Sequence, residues 1–398
     1  MTDNLSVAVC GAGLGGLTAA LALQQRGVDV TLYEQTRQLS EVGAGLQLSA
    51  NAIRVLDSLG LFDALDRVAS RPAGKRVRLW DSGKTWPLFD LGGESQERFG
   101  FPYLMIHRAD LHDTLRSEFE RRAPGRLRLG HRLESFRQDN DTVTMNFADG
   151  STAVHDAMVG ADGVHSVVRS GLFGPSDPKF SGCVAWRGVV PAAGLRDELR
   201  VPYGTNWIGP HGHVIQYPLR GGELINFVGI VERDDWSVES WNIGGTTEEL
   251  TNDFDGWHPD VRSLIRAIDT PMKWALNLRS TMPSWSQGRV TLLGDACHPT
   301  LPFLAQGACM AIEDGVVLAR AIDAHDRLED AHAAYEEARI ERTTAVVTGS
   351  ADNADRFHNP LLADPARAEE YVSEQWASTR VSGRYDWLFE YDALSVPI

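Results

Sequence analysis

Leu5-Ser6-Val7-Ala8-Val9-Cys10-Gly11-Ala12-Gly13-Leu14-Gly15-Gly16 runs from a short apolar, β-branched segment into spaced glycines. The first six residues read as a buried strand, and Leu17 to Arg26 as a helix that ends at Gly27. Val28-Asp29-Val30-Thr31-Leu32-Tyr33 is a second strand, closed by Glu34. Together they form a βαβ unit with G-x-G-x-x-G at the turn from strand to helix, the one context in which that pattern has a mechanism. Gly11 permits the tight turn, Gly13 lets backbone approach a pyrophosphate, and Gly16 lets helix lie close on strand. Glu34 falls about twenty residues on, where a carboxylate accepts ribose hydroxyls. A carboxylate there disfavours a 2′-phosphate, so FAD or NAD is expected at this site and NADP is not.

Moving outward, Glu41-Val42-Gly43-Ala44-Gly45-Leu46-Gln47 is a second glycine-rich turn, which suggests backbone held close to an extended cofactor. Ala50 to Ala64 reads as one helix. His107-Arg108-Ala109-Asp110 opens another, continuing to Arg122. Arg108 near its start is a candidate phosphate or flavin contact, the alternative being a surface arginine paired with Asp110. Val143-Thr144-Met145-Asn146-Phe147 followed by Asp149-Gly150 reads as a hairpin. Ala157-Met158-Val159 is a strand that ends in Gly160-Ala161-Asp162-Gly163-Val164-His165-Ser166-Val167-Val168-Arg169, which places Asp162-Gly163 at a second strand-to-loop junction.

A third junction lies late in the chain. Val290-Thr291-Leu292-Leu293 reads as a buried strand that delivers Asp295, in Gly294-Asp295-Ala296-Cys297-His298-Pro299, to a loop turning at Pro299 and Pro302. After Gly307 comes helical spacing, with Met310, Val317 and Leu318 on one side and Glu313 and Asp314 on another. A helix start offers free N–H groups and the positive end of a dipole. A group with hydroxyls for Asp295 and a developing negative charge for the helix would fit there.

The composition narrows the class. A chain of 398 residues suggests two joined domains, and 43% hydrophobic residues is ordinary for a globular protein. The net charge of −16 disfavours nucleic acid or an anionic membrane surface as partner. No apolar run approaches a bilayer span, and Met1-Thr2-Asp3-Asn4 leads directly into the first strand, so a cytoplasmic protein is expected. The four cysteines (Cys10, Cys183, Cys297, Cys309) form no C-x-x-C pair, which suits reduced thiols; no metal site is expected.

The middle of the chain is expected to supply a pocket. Cys183-Val184-Ala185-Trp186-Arg187-Gly188-Val189-Val190 and His213-Val214-Ile215-Gln216-Tyr217-Pro218 read as strands. With a period of two, His213, Ile215 and Tyr217 share one face. A His and a Tyr beside an apolar residue suit gripping a phenol and taking its proton; the alternative is a hairpin histidine and a satisfied core tyrosine.

GAGLGG, GADGVHSVVR and GDACHP, in this order and at these separations, resemble the single-component flavoprotein aromatic hydroxylases, the family of para-hydroxybenzoate hydroxylase and salicylate hydroxylase. The likeness runs nearly the whole length and is strongest to 3-hydroxybenzoate 6-hydroxylase, salicylate hydroxylase and 6-hydroxynicotinate 3-monooxygenase. It implies an α/β fold, with a Rossmann-like FAD-binding domain and a mainly β-sheet substrate domain. The expected division is 1–75, 100–178 and 285–350 for the first, 76–99 and 179–284 for the second, and 351–398 as a helical, aromatic tail that covers core or makes a homodimer contact.

The same resemblance implies residue roles. Gly11, Gly13, Leu14 and Gly16 would meet the FAD diphosphate, Glu34 with Gln35 its ribose, and Gly45 and Arg108 the body of the cofactor. Asp162-Gly163 would lie along the route of the pyrophosphate and NAD(P)H, Asp295 would hold the ribityl chain, and Pro302, Gly307 and Ala308 would face the flavin. His213 and Tyr217 would be catalytic, with Tyr103, Val184, Trp186, Ile215 and Leu301 as pocket wall. The implied reaction is monohydroxylation of a small phenolic acid, salicylate- or 3-hydroxybenzoate-like, with NADH or NADPH and O2 by way of a flavin C4a-hydroperoxide. Arg187, Arg220 or a backbone amide would bind the carboxylate. No second G-x-G-x-x-G follows a strand, as suits a nicotinamide that binds transiently.

Other classes share parts of the pattern. A flavin-dependent reductase or dehydrogenase would keep all three cofactor motifs, and a flavin-binding sensor would hold FAD without turnover. A flavin-dependent halogenase would carry W-x-W-x-I-P, which Trp241-Asn242-Ile243 lacks.

Overall fold

The structure, a computed structural model, describes residues 5–39, 44–234 and 243–398. Met1, Thr2, Asp3 and Asn4, Glu41, Val42 and Gly43 of the second glycine-rich turn, and Trp241 and Asn242 lie outside the described residues.

The opening βαβ unit forms as its pattern dictates. Strand Ser6–Cys10 pairs in parallel with Asp29–Glu34 on one side and with Ala157–Gly160 on the other. The full sheet has six strands, in the order Ser286–Gln287, Val290–Leu292, Ala157–Gly160, Ser6–Cys10, Asp29–Glu34 and Leu127–Leu129. Helix Leu14–Gln24 is buried along nearly its whole length and is crossed by helix Gly307–Ala324, so apolar residues surround it with no polar stripe. Gly16 is fixed by space: a Cβ there would sit 2.0 Å from the Gly11 carbonyl oxygen.

The second layer is an eight-stranded sheet in the order Ile243–Gly244, Met272–Leu278, Lys179–Pro191, Leu224–Glu232, Gly212–Leu219, Tyr203–Gly209, Gly74–Leu79 and Thr85–Asp90. Its outer face packs under helices Thr247–Asp253 and Pro259–Arg266, with Trp186, Trp207, Phe227, Leu250, Phe254 and Val261 in one buried cluster. Its inner face turns toward the six-stranded sheet, and register sets which residues lie there. His213 stands opposite Ile230, Ile215 opposite Val228, and Tyr217 opposite Asn226; Val228 in turn faces Arg187.

Four sequence expectations change. Residues 50–64 do not form one helix: Ala50–Ser58 and Phe62–Val68 are separated at Gly60, whose φ of +76° belongs to the left-handed region that ends helices. Gly45–Leu48 is a strand, not open loop, and pairs antiparallel with Leu104–His107. Glu313 and Asp314, read as a separate side of their helix, are fully buried together with Met310, Val317 and Leu318. Helix Leu328–Phe357 passes unbroken through position 350, and beyond it Trp376, Tyr385 and Phe389 turn inward against Phe89, Phe99 and Phe357. The tail covers core. Among the described residues no helix is long and apolar enough to cross a membrane.

Candidate active site

A cavity of about 300 Å³ lies between the two sheets, within the size range of small-molecule sites. Its first wall is the glycine turn, Gly13, Leu14 and Gly15, continued by Gly45, Leu46 and Gln47 and by Arg108 at the first turn of helix Arg108–Arg122. A Cβ at Gly13 would meet nothing within 4 Å, so this backbone stands open to whatever lies in the cavity. Gly45 is the reverse case: a Cβ would come 2.7 Å from the Tyr217 hydroxyl. Its N–H donates to Asn226 Oδ1 at 2.7 Å, which ties strand Gly45–Leu48 to the second sheet.

The floor is the junction that follows strand Val290–Leu292. Gly294, with φ of +62°, starts a single 3-10 turn, and its N–H donates to Asp314 Oδ2 at 2.9 Å. That anchor turns Asp295 into the cavity, where the enclosing protein raises its carboxyl above the usual range against the pull of His298 and Arg108. Helix Gly307–Ala324 begins at the same wall, with Gly307, Ala308 and Ala311 on the lining and no side chain capping its first turn. Its free N–H groups and dipole favour negative charge there.

Glu34 and Asp162 hold backbone. Glu34 accepts hydrogen bonds from the N–H groups of Ala12 and Thr36, both at 2.9 Å, and so pins the glycine turn to the end of strand Asp29–Glu34. Asp162 accepts from Ser166 Oγ at 2.5 Å, Val167 N at 2.7 Å and Val168 N at 3.1 Å, capping the next helix and leaving Gly163 on the lining. Burial raises the Asp162 carboxyl. Gln35 is exposed, and Gly11 and Gly16 pack behind the turn.

The opposite wall is the inner face of the eight-stranded sheet, with Arg187, Ile215, Tyr217, Val228, Ile230 and Trp274 on the lining. Burial, and then Arg108, press the Arg187 guanidinium down to about 10, and it lies 4.0 Å from the Trp274 ring centroid. Among the described residues no carboxylate pairs with it.

His213 does not reach the lining. It is fully buried, with its ring against Phe303 and Phe357 at 5.2 and 5.0 Å between centroids, one same-face position along the strand from Ile215. Its Nδ1 lies 2.6 Å from His358 Nε2, whose Nδ1 is 3.0 Å from Glu232 Oε1. The ionised carboxylate accepts a hydrogen bond from His358 Nδ1–H, so the neutral arrangement has His213 Nδ1–H donating to His358 Nε2 and leaves a lone pair on His213 Nε2. That Nε2 is buried without a partner among the described residues. Burial, and then His358, lower the His213 pKa well below 6.5, so the ring stays neutral at physiological pH.

Val184 and Trp186 are corrected: they face the other way. Strand alternation puts both on the outer face, where Trp186 Nε1 donates to Asp253 Oδ2 at 2.7 Å. Tyr103 and Leu301 are buried behind the wall and do not line it; Thr300 and Pro302 do. Arg220 is held by Asp110 at 2.7 and 2.8 Å, which leaves Arg187 as the arginine on the substrate wall, across the cavity from Arg108. Lys75 and His358 are site-related residues that the sequence pattern did not mark.

Residues 4–350 match the FAD binding domain family. The chain is 39% identical over 396 residues, 99% of this chain and 98% of the other, to a 3-amino-4-hydroxybenzoate 2-monooxygenase of Streptomyces platensis. It is 35% identical to a 6-hydroxynicotinate 3-monooxygenase of Pseudomonas fluorescens (100% and 98% covered) and 37% identical to a 3-hydroxybenzoate 6-hydroxylase of Polaromonas naphthalenivorans (90% of each). The chain is an FAD-dependent aromatic hydroxylase. Among solved structures, HpxO of Klebsiella pneumoniae, complexed with FAD and uric acid, superposes with a TM-score of 0.84 at 27% identity and covers 100% of the hydroxylase and 98% of itself.

The residues present fit the cofactor. The open Gly13 backbone, Arg108 and the uncapped helix start at Gly307 are donors and positive charge along one trough, as an anionic, elongated FAD requires. Asp295 supplies the acceptor for hydroxyls between them.

Proposed function

We propose that the hydroxylase adds one hydroxyl group to a small phenolic aromatic acid in the cytoplasm, with NADH or NADPH as reductant and O2 as oxygen donor. FAD, when bound, would carry the reducing equivalents from the nicotinamide to oxygen and activate it. The observation that carries the substrate class is Arg187, a part-buried cation on an apolar wall with no carboxylate to pair with among the described residues. A substrate carboxylate completes that pair, and the three relatives named above all bear substrate names of aromatic acids.

Arg187 then fixes one end of the ring, and Trp274, Ile215, Val228 and Ile230 exclude water around it. Tyr217, on the lining, addresses the phenolic oxygen, and His213, fully buried behind it, holds Phe303 and the His358–Glu232 pair that back this wall. A deprotonated phenol is electron-rich at the carbons ortho and para to it, which is where oxygen is added. The positive end of helix Gly307–Ala324 stabilises negative charge arising on the facing wall. Residues 1–75, 100–178 and 285–350 serve the cofactor in this reading, and 76–99 with 179–284 the substrate.

The test compares a phenolic acid with its carboxamide. Removing the charge is expected to weaken binding about 30-fold or more, as for loss of one partner of a buried pair. Arg187→Met should erase the discrimination. Equal binding of acid and amide by the parent protein contradicts the assignment.

A further inference from the structure

The inner face of the eight-stranded sheet also carries a lysine among apolar neighbours. Lys75 alternates with the fully buried Val77 along strand Gly74–Leu79, and its stem packs beside Gly204 and the methyl end of Met105. Among the described residues no carboxylate pairs with it. Its Nζ donates to the Tyr103 hydroxyl at 2.8 Å and sits 4.7 Å from the centroid of the same ring. A part-buried cation held only by a phenol is costly, so its direction of hydrogen bonding matters.

That direction is set at every link. Lysine only donates, so Tyr103 Oη accepts there and sends its own proton to Gln47 Oε1 at 2.8 Å. With its carbonyl occupied, Gln47 has its amide N–H groups to give. Burial raises the Tyr217 phenol, so Tyr217 stays protonated beside that amide. Gln47 and Tyr217 both line the cavity.

We propose that Lys75 is a positioning residue: it polarises the chain Lys75–Tyr103–Gln47 so that the Gln47 amide donates a hydrogen bond to the phenolic oxygen of the substrate and stabilises its anion. This rests on the phenolic-acid reading above. No bond other than O–H is broken, and the proton leaves to solvent in the binding equilibrium. The groups facing Lys75 are the Tyr103 hydroxyl and the Cys309 thiol; Tyr217 and Tyr385 face Tyr103, and Arg187 faces Tyr217. Burial lowers the Lys75 ammonium to about 7. Its effect is therefore present below that pH and lost above it, as the charge disappears.

The experiment follows the ionisation of a bound chromophoric phenol, 4-hydroxy-3-nitrobenzoate, by absorbance difference on the FAD-loaded protein between pH 5 and pH 9. Lys75→Met is expected to raise the pKa of the bound phenol by about one unit, a tenfold fall in its ionisation constant. Tyr103→Phe, which cuts the chain at its second link and preserves shape, should give the same shift, and the double variant no more. It also keeps the question open to test if Lys75→Met does not fold. A bound-phenol pKa unmoved in the variants that bind the probe overturns the role of Lys75 and leaves the phenolic-acid reading intact. Failure of the parent protein to bind any phenolic acid overturns both.

Discussion

Two buried sets of charges lie on either side of the cofactor wall, and they differ in whether they are finished. Behind helix Gly307–Ala324, Arg339 bridges Asp314 at 2.8 Å and Glu313 at 2.7 Å, Arg342 reaches Glu313 at 3.1 Å, and His298 meets Asp314 at 2.6 Å. The Tyr391 ring covers both guanidinium groups at 5.1 and 4.5 Å. Burial alone would raise the Asp314 carboxyl, yet His298 and Arg339 hold it at about 2. Each cation there has its anion. Across the cavity, Arg187 and Lys75 have none among the described residues, and His213 has an unpartnered nitrogen. A closed set of charges fixes the backbone that aims Asp295 and the helix start, whereas an open set is completed by a ligand.

The comparison can be broken from either side. The largest effect is expected on the closed side. Arg339→Met takes from two buried carboxylates the cation they share, leaving Glu313 to Arg342 and Asp314 to His298, and should lower stability by about 3–5 kcal/mol in chemical denaturation. A variant within about 1 kcal/mol of the parent would mean that this cluster is not the scaffold. Because the Asp314 carboxyl is depressed in the folded state, its contribution is fully present above pH about 4 and is lost as pH falls toward 2. Acid titration of the parent protein should show that loss, and Arg339→Met should show less of it.

On the open side, His213→Ala should retain bound FAD, seen by its absorbance, and lower both stability and coupled hydroxylation, because it opens a hole behind the substrate wall. Unchanged product yield removes His213 from the support of that wall. Arg187→Met should cost about 2–3 kcal/mol in substrate binding without lowering the melting temperature; a loss of stability in its place would show that the guanidinium is structural. The smallest effect is expected for Trp186→Phe on the outer face. It gives up the bond to Asp253, at a cost near 1 kcal/mol of stability, and leaves KM unchanged. A changed KM would put the outer face back into the site.

The sequence made the cofactor side legible because its signals are local. The turn at Gly11 to Gly16, the carboxylate at Glu34 and the junctions at Gly163 and Asp295 each need only neighbouring residues to be read. The substrate side depends on parity. Strand Lys179–Pro191 is buried on both faces, so alternation of apolar residues does not say which set points inward, and Val184 and Trp186 were chosen over Arg187. Lys75 sits in Gly74-Lys75-Arg76-Val77-Arg78, which reads as a polar edge strand, and the parallel pairing to Tyr203–Gly209 that turns it inward is nonlocal. His358 pairs with His213 across 145 positions of chain. Gly60 broke a helix that apolar spacing alone would have continued.

The most direct measurement supplies the FAD-loaded hydroxylase with NADH or NADPH, isotopically labelled dioxygen and, in turn, salicylate, 3-hydroxybenzoate and 3-amino-4-hydroxybenzoate, with products weighed by mass spectrometry. Expected is at least one acid that returns with a single labelled oxygen atom, with nicotinamide consumed in proportion. Nicotinamide oxidation with no label in any aromatic product would contradict the assignment and leave a flavin-dependent reductase.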